Sequence, residues 1–167
     1  MAARSGEIIV NKMSLAKKIT KGRALAQLVV VTPDVMEKKM TFVNADEMKQ
    51  SIHDTGKVAL YGVYFDTDKE VLKSESQPTL EEIAKLLKAE PSMKLHVVGH
   101  TDKQGKLEYN IDLSKRRAAS VVKELTTKYG IAAMRLDAFG CGVYSPVASN
   151  SSDEGRAKNR RVELVEW

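Results

Sequence analysis

The residues of this chain best placed to do chemistry are Asp102 and Arg117. Asp102 ends a run that begins apolar, Lys94-Leu95-His96-Val97-Val98, and closes with Gly99-His100-Thr101. Arg117 falls on the apolar side of the helical pattern that follows. With Leu113 at the origin and about 100° per residue, Val121 lies near 80°, Leu125 near 120° and Ala118 near 140°. Arg117 falls near 40°, inside that stripe, whereas Lys115 and Arg116 fall at about 200° and 300°. A guanidinium so placed must meet an anion or other acceptors, because an unpartnered buried charge is costly and arginine does not escape by losing its proton. Two readings follow. Asp102 and Arg117 could form an internal salt bridge. Alternatively they flank one pocket, since the end of a strand and the start of the next helix share an edge of the sheet, and the first turns of a helix favour an anion. Spaced apart, the pair matches a zwitterion: the carboxylate takes an ammonium, and the guanidinium takes a carboxylate with two parallel hydrogen bonds.

Other reactive residue types give less. His100 lies close to Asp102, but no second histidine stands at ligand spacing, so a structural histidine bonded to nearby backbone is expected. Cys141, between Gly140 and Gly142, reads as a small buried hydrophobe, and one cysteine allows no internal disulfide. Asp66 and Asp68 begin like a calcium loop whose later ligands are missing. No nucleophile turn, phosphate-cradling glycine loop or metal set occurs. The expectation is a binding module that is not an enzyme and needs no cofactor or metal.

The elements that must position Asp102 and Arg117 can be traced from the pattern. Val58–Phe65 is apolar throughout, like a strand covered on both faces. Pro78 and Thr79 open a helix, with Glu82 placed for a capping box; Leu80, Ile83, Ala84 and Leu87 recur at helical spacing, and Pro91 stops the run. A strand over 93–98, a helix from Asn110 to Tyr129 with Gly130 beyond it, a strand over 135–139, a short helical turn at 154–158 and a last strand over 161–166 complete the order. The fold class is α/β (α+β): a βαβαββ arrangement with a mixed sheet and helices on one face. Residues 58–167 form this module. Residues 1–57 read as a partial β-rich segment of unknown role, with short runs at 7–10, 28–31 and 39–43 and one or two helical turns at 46–52.

The chain has 167 residues, 43% of them apolar, enough for an ordinary core. Its net charge of +5 rests on 27 basic and 22 acidic residues that are interspersed, and aromatic residues are 5%. A nucleic-acid platform, which needs bases to stack on aromatics, is disfavoured. No run approaches the ~18 apolar residues of a membrane span, and the first residues lack the apolar core of a signal peptide. A cytosolic chain, or one from which a targeting segment has been removed, fits both facts.

Four motifs in order carry a resemblance: Val63-Tyr64-Phe65-Asp66-Thr67-Asp68; Val97-Val98-Gly99-His100-Thr101-Asp102 with Gly105; Asn110-x-x-Leu113-Ser114-x-x-Arg117-Ala118; and Gly140-x-Gly142 with Pro146 and Glu154-Gly155-Arg156-Ala157-x-Asn159-Arg160-Arg161-Val162. Over 58–167 the chain resembles the OmpA-like C-terminal family, the peptidoglycan-associated domains of Gram-negative outer membranes. The resemblance implies a βαβαββ fold that holds the diaminopimelate residue of the peptidoglycan stem peptide and tethers the outer envelope to the wall, at the periplasmic face of the outer membrane or in the periplasm. It carries the ligand-holding aspartate onto Asp102 and the arginine onto Arg117, with further contacts on Asp68, Thr101, Asn110, Leu113 and Asn159, and Arg160 close by. It makes Arg156 and Arg161 partners of acids. Asp68, where asparagine is frequent, and Lys103, where a small polar residue is usual, depart from the family pattern. The competing reading is a structural or protein-interaction domain on the same fold, distinguished by a direct Asp102–Arg117 ion pair closing the pocket.

Overall fold

The computed structural model describes residues 42–66 and 68–167. The strand expectations at 7–10 and 28–31 fall outside the described residues. Phe42 and Val43, the described end of the third, lie in no strand. Helix α1 (Ala45–Thr55) fills the helical stretch expected around 46–52 and is longer. Asn44 and Glu47 cap it reciprocally, and Gly56 ends it at φ 75°, the left-handed conformation glycine adopts freely. Met48 and Ile52, four apart and so on one face, are buried in the same core as the elements after residue 58.

Strand β1 (Lys57–Leu60) follows at once. It is four residues long rather than eight, and it pairs with one neighbour, so it is an edge strand with alternating burial instead of one covered on both faces. Val63, Tyr64 and Phe65 leave the sheet. Ser76 holds the backbone there, accepting from Tyr64 N at 2.8 Å and donating to Tyr64 O at 3.0 Å.

A single 3₁₀ turn (Ser74–Ser76) leads into α2 (Gln77–Ala89), whose Leu80, Ile83, Ala84 and Leu87 enter the core. The expected Thr79–Glu82 capping box does not form. The helix starts earlier, Thr79 is buried within it, and the Glu82 carboxylate instead accepts from Ala45 N at 2.9 Å, tying α1 to α2.

Strand β2 (Leu95–His100), helix α3 (Leu107–Thr127), strand β3 (Leu136–Gly142), the short α4 (Asp153–Asn159) and strand β4 (Val162–Glu166) complete the fold. The sheet order is β1-β4-β2-β3, with β2 and β3 parallel and the other pairs antiparallel. This is the mixed sheet expected, covered on the face where Leu95, Val97, Val162 and Leu164 are buried. Helix α3 lies directly on strand backbone. A Cβ at Gly99 would stand 2.1 Å from Ser114 O, and one at Gly140 2.6 Å from Lys115 N. Glycine at these two positions lets the helix come close enough to set Arg117 beside the end of β2.

Candidate functional site

A cleft of about 400 Å³ opens where β2 ends. Its walls are residues 63–66 with Asp68, the end of β2 and the loop after it, the first half of α3 and the start of β4. The seven sequence-derived residues Asp68, Thr101, Asp102, Asn110, Leu113, Arg117 and Arg160 all line it.

Asp102 is 6% exposed. Its Oδ1 accepts from Gln104 N at 2.9 Å, a turn closed by its own side chain, and its Oδ2 accepts from Arg160 Nη1 at 2.6 Å. Asn110 Nδ2 donates to Gln104 O at 2.8 Å and so ties this loop to α3. The strand end is anchored by His100 N to Arg161 O at 3.0 Å and Thr101 N to Gly142 O at 2.9 Å. The Thr101 hydroxyl oxygen is buried at the cleft with no hydrogen-bond partner among the described residues. A buried polar atom left in that condition is an opening for a ligand or an ordered water.

Arg117 meets no carboxylate among the described residues. Its Nε donates to Lys69 O at 3.0 Å, its Nη2 donates to Asp66 O at 3.4 Å, and its guanidinium lies 5.1 Å from the centre of the Phe65 ring. Of the five N–H groups that a guanidinium carries, two are used in this way. Burial pushes Arg117 below its ordinary value, Asp68 and Tyr109 act the other way, and Arg160 and Arg116 add to the downward push; the group nonetheless stays protonated. The direct Asp102–Arg117 ion pair that would close the cleft does not form. Nor do helix-start N–H groups assist Arg117, as α3 begins at Leu107 and Arg117 stands nearly three turns into it. Close in the chain to the Asp66 and Lys69 carbonyls, Asp68 adopts φ 55°, and its own carbonyl accepts from Tyr109 Oη at 3.3 Å.

Asn159 is fully buried and outside the cleft lining. Its Oδ1 accepts from Val147 N and Ala148 N, and its Nδ2 donates to Ala148 O and to Asn150 Oδ1, so it shapes the 147–150 loop behind the cleft wall. Arg161 is buried against Glu163, with Nε at 2.8 Å and Nη2 at 2.7 Å from Oε1, and Arg156 pairs with Asp153. The expectation for His100 needs correction: its ring makes no backbone hydrogen bond among the described residues, and Nε2 faces Glu163 Oε2 at 3.6 Å. Burial pushes the Glu163 carboxyl up, but His100 and Arg161 outweigh burial and hold it at about 2. Cys141 is half-buried rather than buried. Among the described residues no group of His, Cys, Asp and Glu could hold a metal ion, and no helix is long and apolar enough to cross a membrane. Sequence reasoning missed two features: the Phe65 ring under Arg117, signalled only by an aromatic just past the strand, and the Asp102–Arg160 pair, which spans 58 residues with no local signal.

Comparison with known proteins places the architecture. The chain is 45% identical over 101 residues to outer membrane porin F of Pseudomonas aeruginosa, covering 60% of this chain and 29% of that protein. It is 42% identical over 103 residues to the probable lipoprotein YiaD of Escherichia coli, covering 62% of this chain and 47% of that protein. It therefore spans about half or less of the length of these curated relatives. Among solved structures, the peptidoglycan-associated lipoprotein from Burkholderia pseudomallei matches with a TM-score of 0.58 at 33% identity, covering 63% of this chain and 88% of that one. The cell wall anchor of the type VI secretion system from Pseudomonas aeruginosa matches with a TM-score of 0.56 at 29% identity, covering 72% and 93%. The family model described as the OmpA family matches residues 64–160, more than half the chain and most of the residues that line the cleft. By that match, this chain belongs to the OmpA family.

Proposed function

We propose that this chain binds peptidoglycan without covalent chemistry, holding the amino-acid headgroup of the stem-peptide diaminopimelate between Asp102 and Arg117, and thereby tethers the outer envelope to the cell wall. The observation that carries this reading is an open cleft flanked by a buried carboxylate and a half-buried guanidinium that do not pair with each other. Asp102 keeps lone pairs for an ammonium beyond the two hydrogen bonds it accepts. Arg117 keeps unused N–H groups for a carboxylate, the geometry that guanidinium donors serve best. The unpartnered Thr101 hydroxyl supplies a neutral contact between them.

The relatives support the wall as partner, since two of the matching structures are titled a peptidoglycan-associated lipoprotein and a cell wall anchor. The chain sits with them at the periplasmic face of the outer membrane or in the periplasm. The mechanism is recognition alone: the charged groups of the cleft pair with charge, and the ligand leaves unchanged. One headgroup offers few contacts, so the isolated ligand binds modestly, and a wall presenting many copies retains the protein through repeated capture. Sedimentation with isolated cell wall tests the reading. The wild-type chain pellets with the wall, and a folded Asp102→Ala, Arg117→Ala double variant stays in the supernatant. Pelleting of the double variant at the wild-type level overturns the proposal.

A further inference from the structure

Asp102 already has a cation on it. Arg160 Nη1 donates to Asp102 Oδ2 at 2.6 Å, and no other side chain among the described residues donates to that carboxylate. The two side chains differ in freedom: Asp102 is 8% exposed and Arg160 48%. Arg160 follows the last turn of α4, its backbone N held by Arg156 O at 3.1 Å. Its guanidinium makes no other hydrogen bond among the described residues, so the head can leave Asp102 while the backbone stays fixed.

This arrangement sets a condition on what can approach Asp102, given the reading of Asp102 as an ammonium seat. A bare amine brings a positive charge to a carboxylate that Arg160 already neutralises. It must share Asp102 with a second cation or drive Arg160 into water. An amino-acid headgroup brings its own carboxylate one carbon away from the ammonium. That carboxylate, with one oxygen on Arg117, can offer its other oxygen to Arg160 as the ammonium takes Asp102, since the two guanidiniums line the same cleft and act on one another, so each charge keeps a partner throughout. Discrimination of this kind comes from a repulsive element set against the wrong ligand as much as from attraction to the right one. The surroundings sharpen it. Of the other acids that line the cleft, Asp66 faces Lys69 and Lys73 and Asp68 acts on Arg117, so a cation without an anion finds at Asp102 only the carboxylate that Arg160 already holds.

We propose that Arg160 is a specificity-determining residue that guards Asp102, making the cleft selective for ligands that carry an ammonium and a carboxylate on one carbon and excluding simple amines.

Calorimetric titration at neutral pH with two probes tests this: diaminopimelate, and cadaverine, the diamine that remains when both of its carboxylates are removed. The wild type favours diaminopimelate strongly. Arg160→Gln gains affinity for cadaverine by about tenfold or more, a difference of about 1.4 kcal/mol, so the two probes are discriminated less. Arg160→Lys keeps the positive charge and keeps the discrimination. Cadaverine binding that is equally weak in wild type and Arg160→Gln overturns the proposal, and so does discrimination in Arg160→Lys that falls as far as in Arg160→Gln. Arg160 is half-exposed and off the core, so both variants fold, which their amide spectra check. The gain for cadaverine is read without reference to diaminopimelate. Failure of wild type to bind diaminopimelate therefore removes the proposed function, while the cadaverine comparison still decides the role of Arg160.

Discussion

Arg160 and Arg161 are adjacent in the chain, yet their side chains are 48% and 0% exposed. Arg161 and Glu163 stand two apart where β4 begins and so share one face. There Arg161 Nε donates to Glu163 Oε1 with Nη2 2.7 Å from the same oxygen, and Nη2 donates to Ser145 O at 3.1 Å. The Arg160 side chain makes one hydrogen bond among the described residues, to Asp102. The first pair is closed: both charges are buried and their hydrogen-bonding capacity is turned inward. The second is open, with Asp102 and the nearby Arg117 keeping unused acceptors and donors at the wall of a cleft. Charge buried for architecture saturates itself, whereas charge placed for recognition leaves capacity for a partner.

The comparison can be broken most severely from the architectural side. Glu163→Ala leaves the Arg161 guanidinium buried without its anion, and costs about 3–5 kcal/mol of folding stability. Urea titration reads this as a lowered midpoint with little change in slope. Titrating the same group by pH gives the next largest effect. Its folded value of about 2 lies below the ordinary 4.5, so its stabilisation is complete above 4.5 and lost as pH falls through about 2. That amounts to about 3 kcal/mol, and a Glu163→Gln chain loses the corresponding part of the pH dependence of its melting temperature in that window. On the recognition side, Arg117→Lys keeps charge but loses the fork, and weakens wall binding about tenfold. Arg116→Ala has the smallest effect. Its partners Glu70 and Asp112 are at the surface, and wall binding stays within about twofold of wild type.

The order of helices and strands was readable because apolar period and breakers agree along most of the chain, as with Leu80, Ile83, Ala84 and Leu87 before Pro91. Arg117 was legible as out of place because helical geometry puts it on the stripe with Val121 and Leu125. What it meets was not legible. Its partners are two backbone carbonyls and a ring from a loop about fifty residues earlier, and backbone carbonyls leave no trace in residue type. Ends of elements were misread where a tertiary contact outbid a local one. Glu82 binds Ala45 N instead of capping its own helix, and β1 stops at Leu60 because Val63 to Phe65 turn to the cleft. Asn159 marks the limit of carrying over residues one by one: it lies next to Arg160 in the chain but faces the loop behind it.

The central claim is that one amino-acid headgroup sits between Asp102 and Arg117. Titrating the labelled chain with diaminopimelate while recording amide signals tests it most directly. The account predicts saturable shifts concentrated at Thr101, Asp102, Gln104 and Arg117, small at Arg161 and Glu163, and absent from the Asp102→Ala, Arg117→Ala variant. A spectrum that does not move at saturating ligand, or one that moves equally in the double variant, contradicts it.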